Sequence, residues 1–411
     1  MRSLRLRSGQ KREETRDALQ PLRSCATTGQ WGTMMTSLLA EQEVETLLSS
    51  MPASLRGVAE KVVQGKRLEA EDGLALLSSE HGDAVLALAN YARAQRVGDI
   101  VYYASTLYIH PTNLCELSCP MCSFYAKPGW EKAWFMTPSQ IIEKVRAHLD
   151  KQLTEIHFVG GLWRECSLDY YREAFQGIKA LDSTLHIKAL TPVEYDFLAK
   201  LHEISIDEVF QRMISWGLGS LPGGGAEILV EEVRRKIAPG KITSDEYLDV
   251  HRRAHRIGLR SNITMLFGHI ETLEHIVTHL LRVRELQDET GGFQTFVPLK
   301  YHTENNALGK RKDRIFPKDV RRIYAVCRLM LDNIRNVKVL WNYVGIEEAI
   351  AILRCGANDL AATSLEEKII TMAGGIKVVM TDERLESLIT AANRTPKKIH
   401  SGHDYTQDDH R

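Results

Sequence analysis

Along most of the chain, short apolar runs of strand length alternate with amphipathic stretches of helical period. From Leu107 onward the candidate strands are 107–109, 155–159, 185–190, 218–221, 260–267, 294–299, 337–341 and 359–362. The segments between them carry helix-start signals. Thr137-Pro138-Ser139-Gln140 sets a threonine cap, a proline at the first helical position and a glutamine three residues after the cap. Ser205 with Glu208, and Thr243 with Glu246, repeat that logic, and Gly217 and Gly258 stand where helix-ending glycines belong. Eight strands alternating with helices predict an α/β fold, a (β/α) TIM-type barrel that is complete or nearly complete. Ahead of it Leu55, Val58, Ala59, Val62 and Val63 recur at helical spacing, which predicts a helical lead-in. The expected organisation is a tail over 1–34, a helical region over 35–103, the barrel over 104–365 and a C-terminal extension over 366–411.

Composition narrows the function. The chain has 411 residues, 44% of them hydrophobic, enough for one large core. Lys+Arg and Asp+Glu both number 53, so no net charge draws the protein toward nucleic acid or an anionic membrane. No apolar run reaches the ~20 residues that span a bilayer, and a cytoplasmic protein is expected. The first 33 residues are arginine-rich but include Glu13, Glu14 and Asp17 and lack the apolar stretch of a secretory signal. They read as a tail, or as a start placed too early, with Met34 or Met35 the functional one.

Seven cysteines, an odd number in a long chain, do not suggest a disulfide framework. Three of them, Cys115, Cys119 and Cys122, fall within eight residues directly after the first barrel strand. Thiolates at this spacing on one loop can converge on a soft or borderline metal centre. A structural zinc ion wants four ligands, so a zinc staple would need completion by His110 or Cys166. Three thiolates suit a 4Fe–4S cluster with one iron left open to a substrate. Of the other four, Cys166, Cys327 and Cys355 read as structural, Cys327 on an apolar helix face with Ile323, Tyr324 and Met330.

The three-cysteine spacing resembles the radical S-adenosylmethionine superfamily. Further segments resemble its menaquinone and deazaflavin branch: Phe158-Val159-Gly160-Gly161-Leu162, Lys188-Ala189-Leu190-Thr191-Pro192-Val193-Glu194, Leu221-Pro222-Gly223-Gly224-Gly225-Ala226-Glu227 and Met265-Leu266-Phe267-Gly268-His269-Ile270-Glu271. Two positions depart from the superfamily pattern: Met121, where an aromatic residue is usual, and Leu162, where an acidic one is. The resemblance implies a cluster on Cys115, Cys119 and Cys122, with S-adenosylmethionine consumed as a cosubstrate. Gly160, Gly161, Glu194, Gly268 and Glu271 are the candidate cofactor contacts, although a helix-start acid is an equal reading of Glu271. Glu227, His269 and His302 are the candidate catalytic residues, and Lys188 and Lys300 suit a substrate with carboxylates. The implied activity is the futalosine-pathway step in which a 5′-deoxyadenosyl radical adds to the enolpyruvyl group of a small aromatic carboxylate. It would draw on an electron donor such as flavodoxin or ferredoxin. The alternatives are the cyclase of the same pathway and a non-catalytic zinc-stapled binding protein.

Overall fold

The computed structural model describes residues 41–311, 319–378 and 380–399; the expected tail over 1–34 lies outside them. The chain divides into two units, Met1–Thr46 and Leu47–Arg411, and every element named below belongs to the second. Its lead-in has three helices, α1 (Ala53–Val63), α2 (Ala70–Ser78) and α3 (Gly82–Val97). They bury Leu55, Val58, Leu76, Leu77, Val85 and Leu88 in the main core.

Seven parallel strands follow in chain order across one sheet: β2 (Thr106–Ile109), β3 (Glu155–Phe158), β4 (His186–Ala189), β5 (Leu218–Leu221), β6 (Arg260–Phe267), β7 (Phe293–Lys300) and β8 (Asn336–Val337). The gap between β8 and β2 is filled by β9 (Asp359–Ala362) and the residues after it. Lys338 bridges to Asp359 on one side and Leu107 to Leu365 on the other, both parallel. The ring is thus a nearly complete α/β barrel, as the alternation of elements predicts. The expected strand over 337–341 stops early because the chain turns at Leu340 into the short helix Trp341–Val344, whose buried Trp341 Nε1 donates to the Ala362 carbonyl at 3.0 Å.

Helices return the chain between strands where the caps predict. They include α4 (Pro138–Arg146), α5 (Leu168–Leu181), α6 (Pro192–His202), α7 (Ile206–Ser215), α8 (Glu231–Ile237), α9 (Ser244–Arg256), α10 (Leu273–Thr290) and α11 (Val320–Met330). Thr137–Gln140 and Thr243–Glu246 form reciprocal capping boxes, and Ser205 accepts from the Glu208 N–H.

Another difference from the sequence reading is Ile100–Ala104, of which 100–103 is expected to be helical: it is a strand, β1. It pairs in parallel with β9 and with β10 (Thr395–Lys398) in a separate three-stranded sheet. A buried apolar run of five residues has no periodicity that separates strand from helix, and only its aromatic and β-branched content favours the strand. Among the described residues no helix is long and apolar enough to cross a membrane.

Candidate active site

The barrel interior is hollow. A cavity of about 320 Å³ runs inside it, lined by Cys115, Cys119 and Cys122 and by inward residues of nearly every strand. The cysteines sit on the loop leaving β2, at the strand end where barrel sites are built. Close backbone approach fixes this loop against the end of β3. The Gly161 N–H donates to the Thr112 carbonyl at 2.9 Å, and the Glu116 N–H donates to the Leu162 carbonyl at 2.9 Å. A Cβ on Gly161 would stand 2.1 Å from the Leu114 carbonyl oxygen, so only glycine fits. From the other side the Lys127 ammonium donates to the carbonyls of Cys115, Glu116 and Leu117 at 2.8, 2.9 and 3.2 Å.

Burial pushes the Cys119 thiol up to about 11. It also raises Cys122, against backbone N–H groups of Tyr125 and Phe124 that favour its thiolate. Such thiols give up their protons when a metal compensates the charge. The residues that could complete a zinc site are committed elsewhere. His110 Nδ1 donates to the Val159 carbonyl at 2.8 Å while its Nε2 accepts the Lys368 N–H at 3.2 Å. Cys166 is buried in the main core and is not among the cavity-lining residues. Three thiols lining one cavity, with no fourth cysteine among its lining residues, are a donor set that suits a cluster keeping one iron for a ligand.

Gly160 and Glu194 are brought together. Glu194 is the third residue of α6, behind the Thr191 cap and Pro192. Its carboxylate accepts the Gly160 N–H at 3.1 Å and the Thr191 N–H and hydroxyl at 2.7 and 2.8 Å. Burial still prevails and lifts its pKa to about 7. Both residues line the cavity, as does Met121.

Glu227 also lines the cavity, in a left-handed conformation (φ 52°) and ion-paired with Lys241 at 2.5 Å. Burial disfavours the Lys241 ammonium, but Glu227 and Cys119 outweigh it and hold its pKa near 12. The glycine run before Glu227 divides in role. Gly223 has φ +76° and leaves room for the Asn262 backbone, whose carbonyl oxygen would lie 2.0 Å from an added Cβ, whereas Gly224 and Gly225 line the cavity.

His302 lines the rim, its Nε2 donating to the Tyr343 carbonyl at 2.8 Å. Burial lowers its pKa, and Lys300 adds to that. Lys300 lines the cavity with no carboxylate partner among the described residues.

The third expected segment does not join them. Gly268, His269 and Glu271 follow β6, yet none lines the cavity. The Glu271 carboxylate accepts the backbone N–H groups of Gly268 and of His269, the latter at 2.8 Å. His269 is fully buried, Nε2 donating to the Leu266 carbonyl at 3.0 Å and Nδ1 accepting the Ile270 N–H at 2.8 Å. These three residues shape the turn into α10. Both imidazole nitrogens and both carboxylate oxygens are already used.

Several cavity residues escaped the sequence reading: Lys241, Asn262, Lys338, and the inward pair Glu155 and His157 on β3. The signal was there. Strands buried on both faces are ordinarily continuous in Val, Ile and Leu, so Glu155 and His157 alternating within β3 mark a side that faces something polar.

Fold and site together define a radical S-adenosylmethionine enzyme. The model of the Radical SAM superfamily matches residues 109–283, and that of the CofH/MqnC C-terminal region matches 290–410. Aminodeoxyfutalosine synthase of Thermus thermophilus is 37% identical over 344 residues, covering 82% of this chain and 92% of that protein. Cyclic dehypoxanthine futalosine synthase of Halalkalibacterium halodurans is 32% identical, covering 84% and 92%. A 5-amino-6-(D-ribitylamino)uracil–L-tyrosine 4-hydroxyphenyl transferase of Archaeoglobus fulgidus is 34% identical, covering 76% and 90%. Among solved structures, methylornithine synthase superposes with a TM-score of 0.66 at 17% identity, covering 84% of this chain and 98% of that one. The chain therefore belongs to the radical SAM superfamily, in the branch that carries the CofH/MqnC C-terminal region. Membership implies a 4Fe–4S cluster, S-adenosylmethionine, a small-molecule substrate and a source of electrons.

Proposed function

We propose that the chain is an aminodeoxyfutalosine synthase, joining the adenosyl part of S-adenosylmethionine to 3-(1-carboxyvinyloxy)benzoate with loss of carbon dioxide, to give 6-amino-6-deoxyfutalosine. The observation that carries this reading is one continuous cavity with three cysteine thiols on its wall and lysine ammonium groups farther along it. Two reactants that must meet without water share that space, and one of them is a dicarboxylate. The 36–37% identity to relatives of that name supports the choice within the branch.

Cys115, Cys119 and Cys122 would hold the cluster, which when bound supplies the electron that breaks the sulfur–carbon bond of S-adenosylmethionine. The chain's own work is to position and shield. Gly160, held by Glu194, presents backbone to the cosubstrate on the cysteine side. Leu162, Leu266, Val297, Leu299 and Leu340 give the cavity apolar walls that exclude water from a reactive alkyl radical. Lys300 offers its ammonium to a substrate carboxylate, and His302 is oriented beside it by Tyr343. The free thiols suit a reducing cytoplasm and a flavodoxin- or ferredoxin-type donor.

Anaerobic reconstitution followed by incubation with S-adenosylmethionine and the enolpyruvyl benzoate tests the proposal. An adenosine-containing adduct is expected. Free 5′-deoxyadenosine with a cyclised product from dehypoxanthine futalosine would instead identify the sister activity.

A further inference from the structure

The interior of an (β/α) barrel is ordinarily filled by layers of branched aliphatic side chains. Here the end of the cavity away from the cysteine loop is charged. Thr106 and Glu155 open β2 and β3 and line it together with His157, Lys188 and Lys338. Lys188, 4% exposed, is ion-paired with Glu155, and Lys338 Nζ lies 3.2 Å from Asp359 Oδ2. Thr106 Oγ1 donates to Glu155 at 3.4 Å, and His157 Nδ1 stands 3.8 Å from the same carboxylate. Four charged groups at a barrel floor are a costly way to fill space, since buried pairs rarely stabilise more than an apolar core would.

Each carboxylate engages its lysine, while an ammonium has three N–H donors. Donors therefore remain on both Lys188 and Lys338, which line the cavity. Their like charges act on each other across it, Lys338 adding to the burial that lowers Lys188. Asn262, on β6, is 5% exposed, lines the same cavity and has no side-chain hydrogen bond among the described residues. The Tyr108 and His157 rings stack at 4.5 Å and 22° beside this floor, a flat wall of the kind an aromatic ring packs against.

We propose that Lys188, Lys338 and Asn262 form a carboxylate-recognition subsite at the cavity floor, which receives the ring carboxylate of an aromatic acid and so turns its other end toward the cysteines. The subsite rests on the function proposed above and sets the orientation of the substrate within it. No covalent step is involved; the floor binds and aligns.

The test compares 3-(1-carboxyvinyloxy)benzoate with its analogue bearing a ring carboxamide. Binding to the cluster-free protein is read by calorimetry, and kcat/KM is read on the reconstituted enzyme. The wild type is expected to favour the carboxylate by about 100-fold or more, the scale for losing one partner of a desolvated charge contact. Removing a lysine alone would strand a buried acid, so the variants neutralise a pair: Lys338→Met with Asp359→Asn, and Lys188→Met with Glu155→Gln. In either the preference should fall to within a few-fold, and Asn262→Leu should weaken the carboxylate more than the carboxamide. A wild type that binds the carboxylate yet accepts the carboxamide equally well would overturn the subsite without any variant having to fold. So would paired variants that keep the full preference. Wild-type protein that neither binds nor converts the enolpyruvyl benzoate would overturn the function itself, and the subsite with it.

Discussion

The sharpest constraint on the cysteine loop is Gly161, and Gly161→Ala measures it. The added Cβ would stand 2.1 Å from the Leu114 carbonyl oxygen and 3.1 Å from Cys115 Cβ. A carbon–oxygen contact needs roughly 3.3 Å, so the two backbones must separate by about 1 Å. Neither obstacle is the far end of a flexible side chain. Separation breaks or stretches the Glu116 to Leu162 and Gly161 to Thr112 hydrogen bonds, both 2.9 Å. At about 1 kcal/mol each, with about 1–3 kcal/mol for overpacking, the cost is about 3–5 kcal/mol. The chain can take this as lost global stability or by releasing the loop that carries Cys115. Thermal unfolding of the cluster-free protein reads the first, and iron per chain after anaerobic reconstitution reads the second. At least one must fall. An alanine variant with full iron and an unchanged midpoint would refute the close approach. Gly57→Ala is the matched control: it lies in α1 with nothing within 4 Å of the added Cβ, and should stabilise by up to about 1 kcal/mol.

Lys127→Met should leave three carbonyls of the cysteine loop without their donor and speed iron loss to a chelator, with Lys127→Arg restoring part of the protection. Cys119→Ser should abolish stoichiometric iron binding, whereas Cys327→Ser, buried in α11, should keep it; iron and acid-labile sulfide assays separate them. Lys241→Met should strand Glu227 and cost about 3–5 kcal/mol by chemical denaturation, with Lys241→Met/Glu227→Gln recovering much of it. Glu194 has a folded pKa of about 7, raised by burial from its ordinary 4.5, so between those values the native state binds the extra proton. Its contribution to stability is therefore present below pH 4.5 and lost as pH rises toward 7, up to about 3 kcal/mol. Glu194→Gln should flatten that part of the profile, and an unchanged slope would count against the assignment.

How much of this was legible in the sequence follows from which forces are local. Most barrel strands could be read because they are short, largely apolar runs between helices whose caps act within a few residues, as at Thr137, Ser205 and Thr243. The cysteine loop could be read because its three thiols are close in sequence. β1 could not, since Ile100–Ala104 becomes a strand through partners at Asp359–Ala362 and Thr395–Lys398, which lie far along the chain.

The same distinction explains the site residues. Gly161 and Glu194 stand out in the sequence because a double glycine at a strand end and an acid behind a Thr-Pro cap are local signals. Yet the contacts that give them meaning, with Leu114 and Gly160, come only with the fold. His269 and Glu271 show the complementary side. An exposed-looking Gly-His-Ile-Glu after a strand is as good a turn as a ligand site, and both side chains spend their hydrogen bonds on the turn. The floor charges are the instructive case. A polar residue at every second position of a buried parallel strand conflicts with the strand's own burial, and conflicts between local pattern and global fold collect where a protein binds something. Glu155 and His157 on β3, Lys188 on β4 and Lys338 after β8 each break the aliphatic pattern, and the fold brings all four breaks to one end of one cavity. Separate departures from the pattern that meet at a single place are hard to attribute to packing alone, which is why the floor, more than the rim, identifies what the barrel was hollowed to hold.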